Sequence, residues 1–178
     1  MPANVEIKAR IASVEAMLPR ALALSEDEHA QLIPQDDTFF SVPHGRLKLR
    51  VFADGTGELI HYQRPDQEGP KLSDYLICEV TDPDALREVL ERSCGLLGRV
   101  RKERILVLVG QTRVHLDRVH GLGEFLELEV VLGDGQSEAQ GRAIAQSLLE
   151  ALGVEAGALV SGAYLDLLGR SGAAAASP

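Results

Sequence analysis

Lysine, arginine and glutamate recur on alternate residues in several short runs of this sequence. Lys102 and Arg104 lie in one such run, and Glu127 and Glu129 lie in a later one. Because alternate residues of a β-strand point to the same side of a sheet, each pair is expected to share a face. Basic side chains suit a phosphate chain, whereas clustered carboxylates suit a hard divalent cation such as Mg²⁺ or Mn²⁺. Together, these residue types are what the binding of a triphosphate and its metal ion requires.

The same alternation of charge occurs along most of the chain. The charged residues expected to share a strand face are Glu6 with Lys8; Arg46, Lys48 and Arg50; Glu58 with Arg64; Lys102 with Arg104; Arg113, His115 and Asp117; and Glu127 with Glu129. Two arrangements are compatible with this pattern. In the first, the charged faces form the solvated outer side of a sheet whose other side packs on helices, as in many antiparallel sheets. In the second, the sheet closes with its charged faces inward and encloses a hydrated tunnel.

The elements that carry these residues are short strands separated by turns and by a few helices. The runs expected to be strands cover residues 4–11, 36–41, 46–52, 57–64, 72–80, 100–110, 111–119 and 125–131. Helices are predicted from Ser13 to Leu24 with a kink or break at Pro19, from Pro83 until Gly95, and from Ser137 to Leu152. A short element is expected within residues 157–168. Since the strands follow one another with few crossovers, the pattern predicts one α+β domain with a closed or nearly closed antiparallel sheet.

Composition limits the classes of function. The 178 residues suffice for one domain, which we assign to residues 1–169, with residues 170–178 expected to be a disordered tail. A net charge of -9 argues against nucleic acid or an acidic membrane as the partner. No apolar run reaches the roughly 18 residues of a membrane helix, and Cys78 and Cys94 lack metal-type spacing. We therefore expect a cytoplasmic protein with reduced thiols, either a monomer or a homodimer.

Five segments carry a resemblance to a known family. They are NVEIK at 4–8, DTFF at 37–40, GRLKLR at 45–50, VRKER at 100–104 and HLDRVHGLGEFLELE at 115–129. In this order they resemble the CYTH family, also called triphosphate tunnel metalloenzymes, which includes class IV adenylate cyclases and thiamine triphosphatases. The resemblance implies an eight-stranded antiparallel β tunnel with flanking helices that binds a triphosphate through basic residues and Mg²⁺ or Mn²⁺ through glutamates. The sequence departs from the family pattern at Asn4, where the signature has a glutamate that would be a stronger metal ligand.

The resemblance also implies a role for each charged residue. Glu6, Glu127 and Glu129 correspond to metal ligands. The phosphate path corresponds to Lys8, Lys48, Arg50, Arg64, Lys102, Arg104 and Arg113. Asp117 would orient the metal or a water molecule, which adds it to a catalytic set of Glu6, Lys8, Glu127 and Glu129. His115 is expected to be a neutral wall residue, with acid or base catalysis as the alternative, while Tyr62 and Tyr75 either flank an organic group or pack in the core.

The chemistry expected of such a tunnel is phosphoryl transfer, which depends mainly on positioning and charge neutralisation. Water attacking the terminal phosphorus gives hydrolysis, whereas a ribose 3′ hydroxyl attacking the α phosphorus gives cyclic AMP and pyrophosphate. Because the sequence contains no recognisable purine motif, it favours a metal-dependent triphosphatase acting on tripolyphosphate or an organic triphosphate. The alternatives are a class IV adenylate cyclase and a non-catalytic triphosphate-binding module, the second of which is favoured by Asn4.

Overall fold

The structure is a computed structural model that describes residues 3–63 and 71–175. These residues form eight β-strands, four α-helices and one 3₁₀ turn at Ala156–Ala158. The strands are β1 (Ala3–Arg10), β2 (Ala30–Phe40), β3 (Arg46–Phe52), β4 (Gly57–Gln63), β5 (Lys71–Val80), β6 (Leu96–Val109), β7 (Thr112–Val119) and β8 (Gly123–Val131). The helices are α1 (Val14–Leu24), α2 (Pro83–Cys94), α3 (Glu138–Leu152) and α4 (Tyr164–Ala175).

The strands form a closed antiparallel barrel in the order β1-β5-β4-β3-β2-β6-β7-β8. Strand β1 closes the ring, because it pairs with β5 through Ala3–Glu6 and with β8 through Asn4–Arg10. Closure removes the unpaired edges of an open sheet, and it also separates an inner face from an outer one. The prediction of an eight-stranded antiparallel tunnel is confirmed.

The core lies outside the barrel, between its outer face and two of the helices. Apolar residues that alternate with the charged ones on β1, β7 and β8 pack against α1 and α3, as Leu126 and Leu128 on β8 illustrate. The approach of α3 is close at Gly141, where a side-chain methyl would meet Leu132 at 2.6 Å and Val5 at 2.7 Å. This packing fixes the register of the strands, since a shift by one residue would bury the charged face against the helices.

Three of the helices begin where the sequence predicts, and the break considered at Pro19 does not occur. Ser13, Asp82 and Ser137 cap the amino ends of α1, α2 and α3. Helix α1 continues without a break through Pro19. Helix α4 ends at Ala175, within the segment 170–178 for which a disordered tail is predicted. In the described part of the chain, no helix combines the length and apolar character needed to cross a membrane.

Candidate active site in the barrel interior

The barrel encloses a cavity of about 380 Å³. It brings together eleven of the charged-face residues singled out from the sequence: Glu6, Lys8, Lys48, Arg50, Glu58, Lys102, Arg104, Arg113, His115, Glu127 and Glu129. The charged strand faces therefore point inward, and the alternative of an open sheet with a solvated charged side is wrong for these strands. Tyr62 and Tyr75 also line the cavity, whereas Arg64 lies outside the described residues. Arg46 pairs with Asp166 of α4 at 2.7 Å.

Lys48 and Arg50 on β3 are held by a buried carboxylate that the alternation of charged residues does not indicate. Asp37 on β2 is paired with Arg50 across the two strands. It accepts hydrogen bonds from Arg50 at 2.7 and 2.8 Å and from Lys48 Nζ at 3.2 Å, and its side chain is buried. Burial alone would raise the pKa of Asp37, but the charges of Arg50 and Lys48 outweigh burial and hold the pKa well below its usual range. Asp37 thus stays ionised and fixes both cations in the cavity wall.

A second buried carboxylate, Asp117 on β7, holds the two cations of β6. Arg104 donates to both carboxylate oxygens of Asp117, at 2.6 and 2.7 Å, and Lys102 Nζ lies 3.4 Å from the same group. Although burial raises the pKa of Asp117, Arg104 and Lys102 lower it more, so the carboxylate stays charged. Burial, together with the nearby charge of Arg104, lowers the pKa of Lys102 to about 7. Lys102 is therefore a cation whose protonation can change near neutral pH.

The glutamates predicted to bind a metal are directed at neighbouring cations. Glu127 lies 2.9 Å from Arg104 and 3.9 Å from Lys8, and Glu129 accepts a hydrogen bond from Arg113 at 2.7 Å. Within residues 3–63 and 71–175, no three His, Cys, Asp or Glu side chains come together closely enough to hold a metal ion. Glu6 and Glu129 nevertheless face each other across β1 and β8, so their oxygens are of the right type and on the right strands for a divalent cation.

Asn4 lies directly beside this pair of glutamates. It is completely buried, and its side-chain nitrogen donates to Glu129. Its side-chain oxygen is also buried and has no hydrogen-bond partner among the described residues. An amide oxygen left without a partner is costly unless something else binds it, and amide oxygens are ligands of hard cations. The donor set of Asn4, Glu6 and Glu129 therefore fits a divalent cation by its chemistry.

His115 has the environment of a neutral histidine. It is buried between the cations and carboxylates of the wall, and burial together with Arg104 lowers its pKa well below the usual value. Its Nε2 atom is 3.9 Å from Glu129, and its Nδ1 atom is buried without a hydrogen-bond partner in the part of the chain that the structure describes. This environment agrees with the expectation of an uncharged wall residue.

Tyr164, the first residue of α4, lines the inner end of the cavity. Its hydroxyl donates to Asp117 at 2.8 Å, and its ring packs on Phe125 with centroids 5.0 Å apart. The ammonium groups of Lys8 and Lys102 lie 4.1 and 5.0 Å from the ring centroid, within cation–π range. Burial and the charge of Asp117 raise the pKa of the Tyr164 hydroxyl, which therefore stays protonated. No sequence signal pointed to Tyr164, because its place depends on where α4 returns to the barrel.

The cavity is surrounded by equal numbers of cationic and anionic side chains. Six cationic side chains line it, namely Lys8, Lys48, Arg50, Lys102, Arg104 and Arg113. Five carboxylates also line it, namely Glu6, Asp37, Glu58, Glu127 and Glu129, and Asp117 contacts two of the cations as a sixth. A polyanion that enters must therefore compete with these carboxylates for the basic groups. Divalent cations bound by the carboxylates would compensate for the negative charge that the polyanion brings into the cavity.

Comparisons with known proteins agree with this architecture. The family model of the CYTH domain matches residues 2–164 of the chain. A protein of Aeromonas hydrophila named adenylate cyclase CyaB is 26% identical over 176 residues, which cover 94% of this chain and 90% of that protein. The structure of a Pyrococcus horikoshii protein is similar with a TM-score of 0.80 at 23% identity, covering 93% of this chain and 99% of that one. The capping-enzyme triphosphatase of Mimivirus has a TM-score of 0.55 at 8% identity, with coverage of 85% and 89%.

Proposed function

The chain belongs to the CYTH domain family, and from this premise we propose that it is a metal-dependent triphosphatase that hydrolyses tripolyphosphate or an organic triphosphate inside the barrel. The observation that carries the proposal is the convergence of six lysine and arginine side chains on one enclosed cavity. Two buried carboxylates, Asp37 in the cavity lining and Asp117 outside it, keep four of these cations in place. Such preorganised charge is what phosphoryl transfer requires of a protein.

The residues of β3 and β6 provide the phosphate contacts in this proposal. Arg50 and Arg104 present planar guanidinium groups that can bind two phosphate oxygens at once, and Lys48 and Lys102 act as point charges. Incoming phosphate would add negative charge near Lys102 and so favour its protonated form. Tyr164 and the apolar residues around it exclude water from the inner end of the cavity. Exclusion of water strengthens each of these charge interactions.

The carboxylate side of the cavity would hold the divalent cation. Glu6 and Glu129, with the side-chain oxygen of Asn4, supply oxygen donors on adjacent strands, and Glu127 lies next along β8. When bound, Mg²⁺ or Mn²⁺ neutralises phosphate charge and polarises the phosphorus that is attacked. A ligand that draws Arg104 and Arg113 towards its phosphates would release Glu127 and Glu129 from their ion pairs. The same residues would then be available to the metal.

Cyclisation of ATP is the second candidate function. It is favoured by the similarity to the Aeromonas hydrophila protein named adenylate cyclase CyaB. Both reactions use the same electrostatics, and they differ in whether the terminal or the α phosphorus meets the nucleophile. Hydrolysis needs only a positioned water molecule, whereas cyclisation also needs a nucleoside held with its 3′ hydroxyl against the α phosphorus.

The experiment that separates these functions is a product analysis. The purified protein is incubated with tripolyphosphate, ATP and thiamine triphosphate, each with Mg²⁺ and with Mn²⁺, and the products are resolved by chromatography. Release of inorganic phosphate as the main reaction supports the triphosphatase. Cyclic AMP with pyrophosphate as the main products would instead support the cyclase. Tight binding without any product would leave a triphosphate-binding module.

A further inference from the structure

The wall of the cavity changes from charged to apolar along three neighbouring strands. On β3, the inward residues Lys48 and Arg50 are followed by Phe52. On β6, Lys102 and Arg104 are followed by Leu106. Strand β2 runs antiparallel to both, so its wall changes from polar to apolar towards its amino end. There Asp37 and Gln35 are preceded by Ile33.

The three apolar residues at the ends of these runs are neighbours on the cavity wall and are called the apolar patch here. The partner of Ile33 on β6 is Arg104, which lies two residues before Leu106. On the other side, Phe52 of β3 is the partner of Gln35, which lies two residues after Ile33. Ile33 is therefore the diagonal neighbour of both Phe52 and Leu106, a spacing at which large side chains touch. All three are only partly buried although they face the barrel interior. The patch thus presents apolar surface to whatever enters the cavity.

The opposite wall of the cavity is apolar at one point as well. Ile77 on β5 lines the cavity beside its partner Ile60 on β4, and 51% of Ile77 is exposed. An inward isoleucine exposed to this degree is accessible to a ligand. The neighbouring Leu76 is also exposed, at 58%, but alternation along β5 places it on the outer face of the barrel.

We propose that Ile33, Phe52, Leu106 and Ile77 bind the organic group of an organic triphosphate, so that the protein prefers such esters over inorganic tripolyphosphate. The inference rests on the proposed function, in which the basic half of the same cavity binds the phosphates. Inorganic tripolyphosphate carries only charged oxygens and gains nothing from apolar walls. An aryl or nucleoside group removes the patch and Ile77 from water and is stabilised by that burial. The phosphate chain then extends inward to Arg50, Lys102 and Arg104.

Affinity measurements on two ligands and three variants test this assignment. Calorimetry without a divalent cation, so that neither ligand is hydrolysed, compares tripolyphosphate with phenyl triphosphate, which carries the same three phosphates and one apolar ring. The ester should bind at least about tenfold more tightly, the factor that burial of a small apolar area produces. Ile77→Ser and Leu106→Ser should each weaken binding of the ester by roughly three- to tenfold and leave tripolyphosphate unchanged. Leu76→Ser, the matched control on the outer face, should change neither affinity.

The outcomes distinguish this inference from the function on which it rests. Tripolyphosphate binding without any advantage for the ester, or with no effect of Ile77→Ser and Leu106→Ser, would overturn the apolar subsite and leave the triphosphatase proposal intact. Failure of both ligands to bind the wild-type protein would overturn both. Since Ile77 is half exposed, its variant is expected to melt within a few degrees of the wild type, and thermal unfolding checks that it is folded.

Discussion

Replacement of the buried carboxylate Asp37 should change stability and ligand affinity in opposite directions. Asp37 accepts three hydrogen bonds from Arg50 and Lys48, and its side chain is only 3% exposed. Removing one partner of a buried ion pair costs about 3–5 kcal/mol. Asp37→Asn keeps one acceptor oxygen and the shape of the side chain, so we expect about half of that loss. For a chain of this size, the loss corresponds to a decrease of roughly 4–10 °C in melting temperature.

The same variant should bind tripolyphosphate more tightly. In the wild-type protein Asp37 and the ligand compete for Arg50 and Lys48, and two charges about 4 Å apart interact by about 4 kcal/mol at the effective dielectric constant of a protein surface. Recovery of a third of that energy would raise affinity about tenfold. Calorimetric titration measures the affinity, and thermal unfolding measures the stability. The matched control is Asp36→Asn, because Asp36 is paired with Arg99 in a more solvent-exposed ion pair. It should change both quantities little.

One combination of results would refute this reasoning. If Asp37→Asn binds tripolyphosphate more weakly than the wild type while its melting temperature is unchanged, Asp37 does not compete with the ligand and does not hold the cations. A loss of affinity together with the expected loss of stability would contradict the prediction of tighter binding, and it would mean that positioning of Arg50 and Lys48 outweighs competition.

Three further predictions concern the proton, metal and catalytic chemistry of the cavity. Because the pKa of Lys102 is about 7 and a bound polyanion raises it, tripolyphosphate binding at pH 8 should take up protons. Calorimetry in buffers of different ionisation enthalpy detects this uptake, and Lys102→Arg should abolish it. Asn4→Glu should lower the melting temperature without metal, since it adds a buried carboxylate beside Glu129, and should tighten Mn²⁺ binding in a titration. Glu127→Gln and Glu129→Gln should each reduce turnover by roughly a hundredfold with the circular dichroism spectrum unchanged, and wild-type rates in both would contradict their roles.

Much of the cavity lining can be predicted from the sequence, because alternate residues of a strand share a face, a rule called strand parity here. Parity alone puts Lys48 and Arg50 on the same side of the sheet. Parity does not say whether that side is inside or outside, and the closed order of strands decides this point. It places the adjacent Asp36 and Asp37 on opposite faces of β2, but it does not say which of them faces the cavity. The register of β2 against β3 pairs Asp37 with Arg50, and this pairing makes Asp37 part of the site.

Residues brought in by helices were harder to predict. Tyr164 belongs to α4, and its contacts with Asp117, Lys8 and Lys102 join positions that are far apart in the chain. No local pattern encodes such contacts, since they depend on where the helix packs. The resemblance to the family assigns the metal ligands to Glu6, Glu127 and Glu129. Glu127 and Glu129 form ion pairs here because arginines occupy the facing strands.

The measurement that tests the central claim most directly is thermal unfolding with tripolyphosphate and Mg²⁺ or Mn²⁺, for the wild type, Lys48→Ala and Arg101→Ala. Lys48 lines the cavity, whereas Arg101 is exposed on the outer face of β6. Ligand at about a hundred times its dissociation constant stabilises a protein by about 2.7 kcal/mol, or roughly 5–10 °C here. The wild type and Arg101→Ala should show this shift in full, and Lys48→Ala should show a much smaller one. No shift in the wild type, or equal shifts in all three proteins, would contradict a triphosphate site inside the barrel.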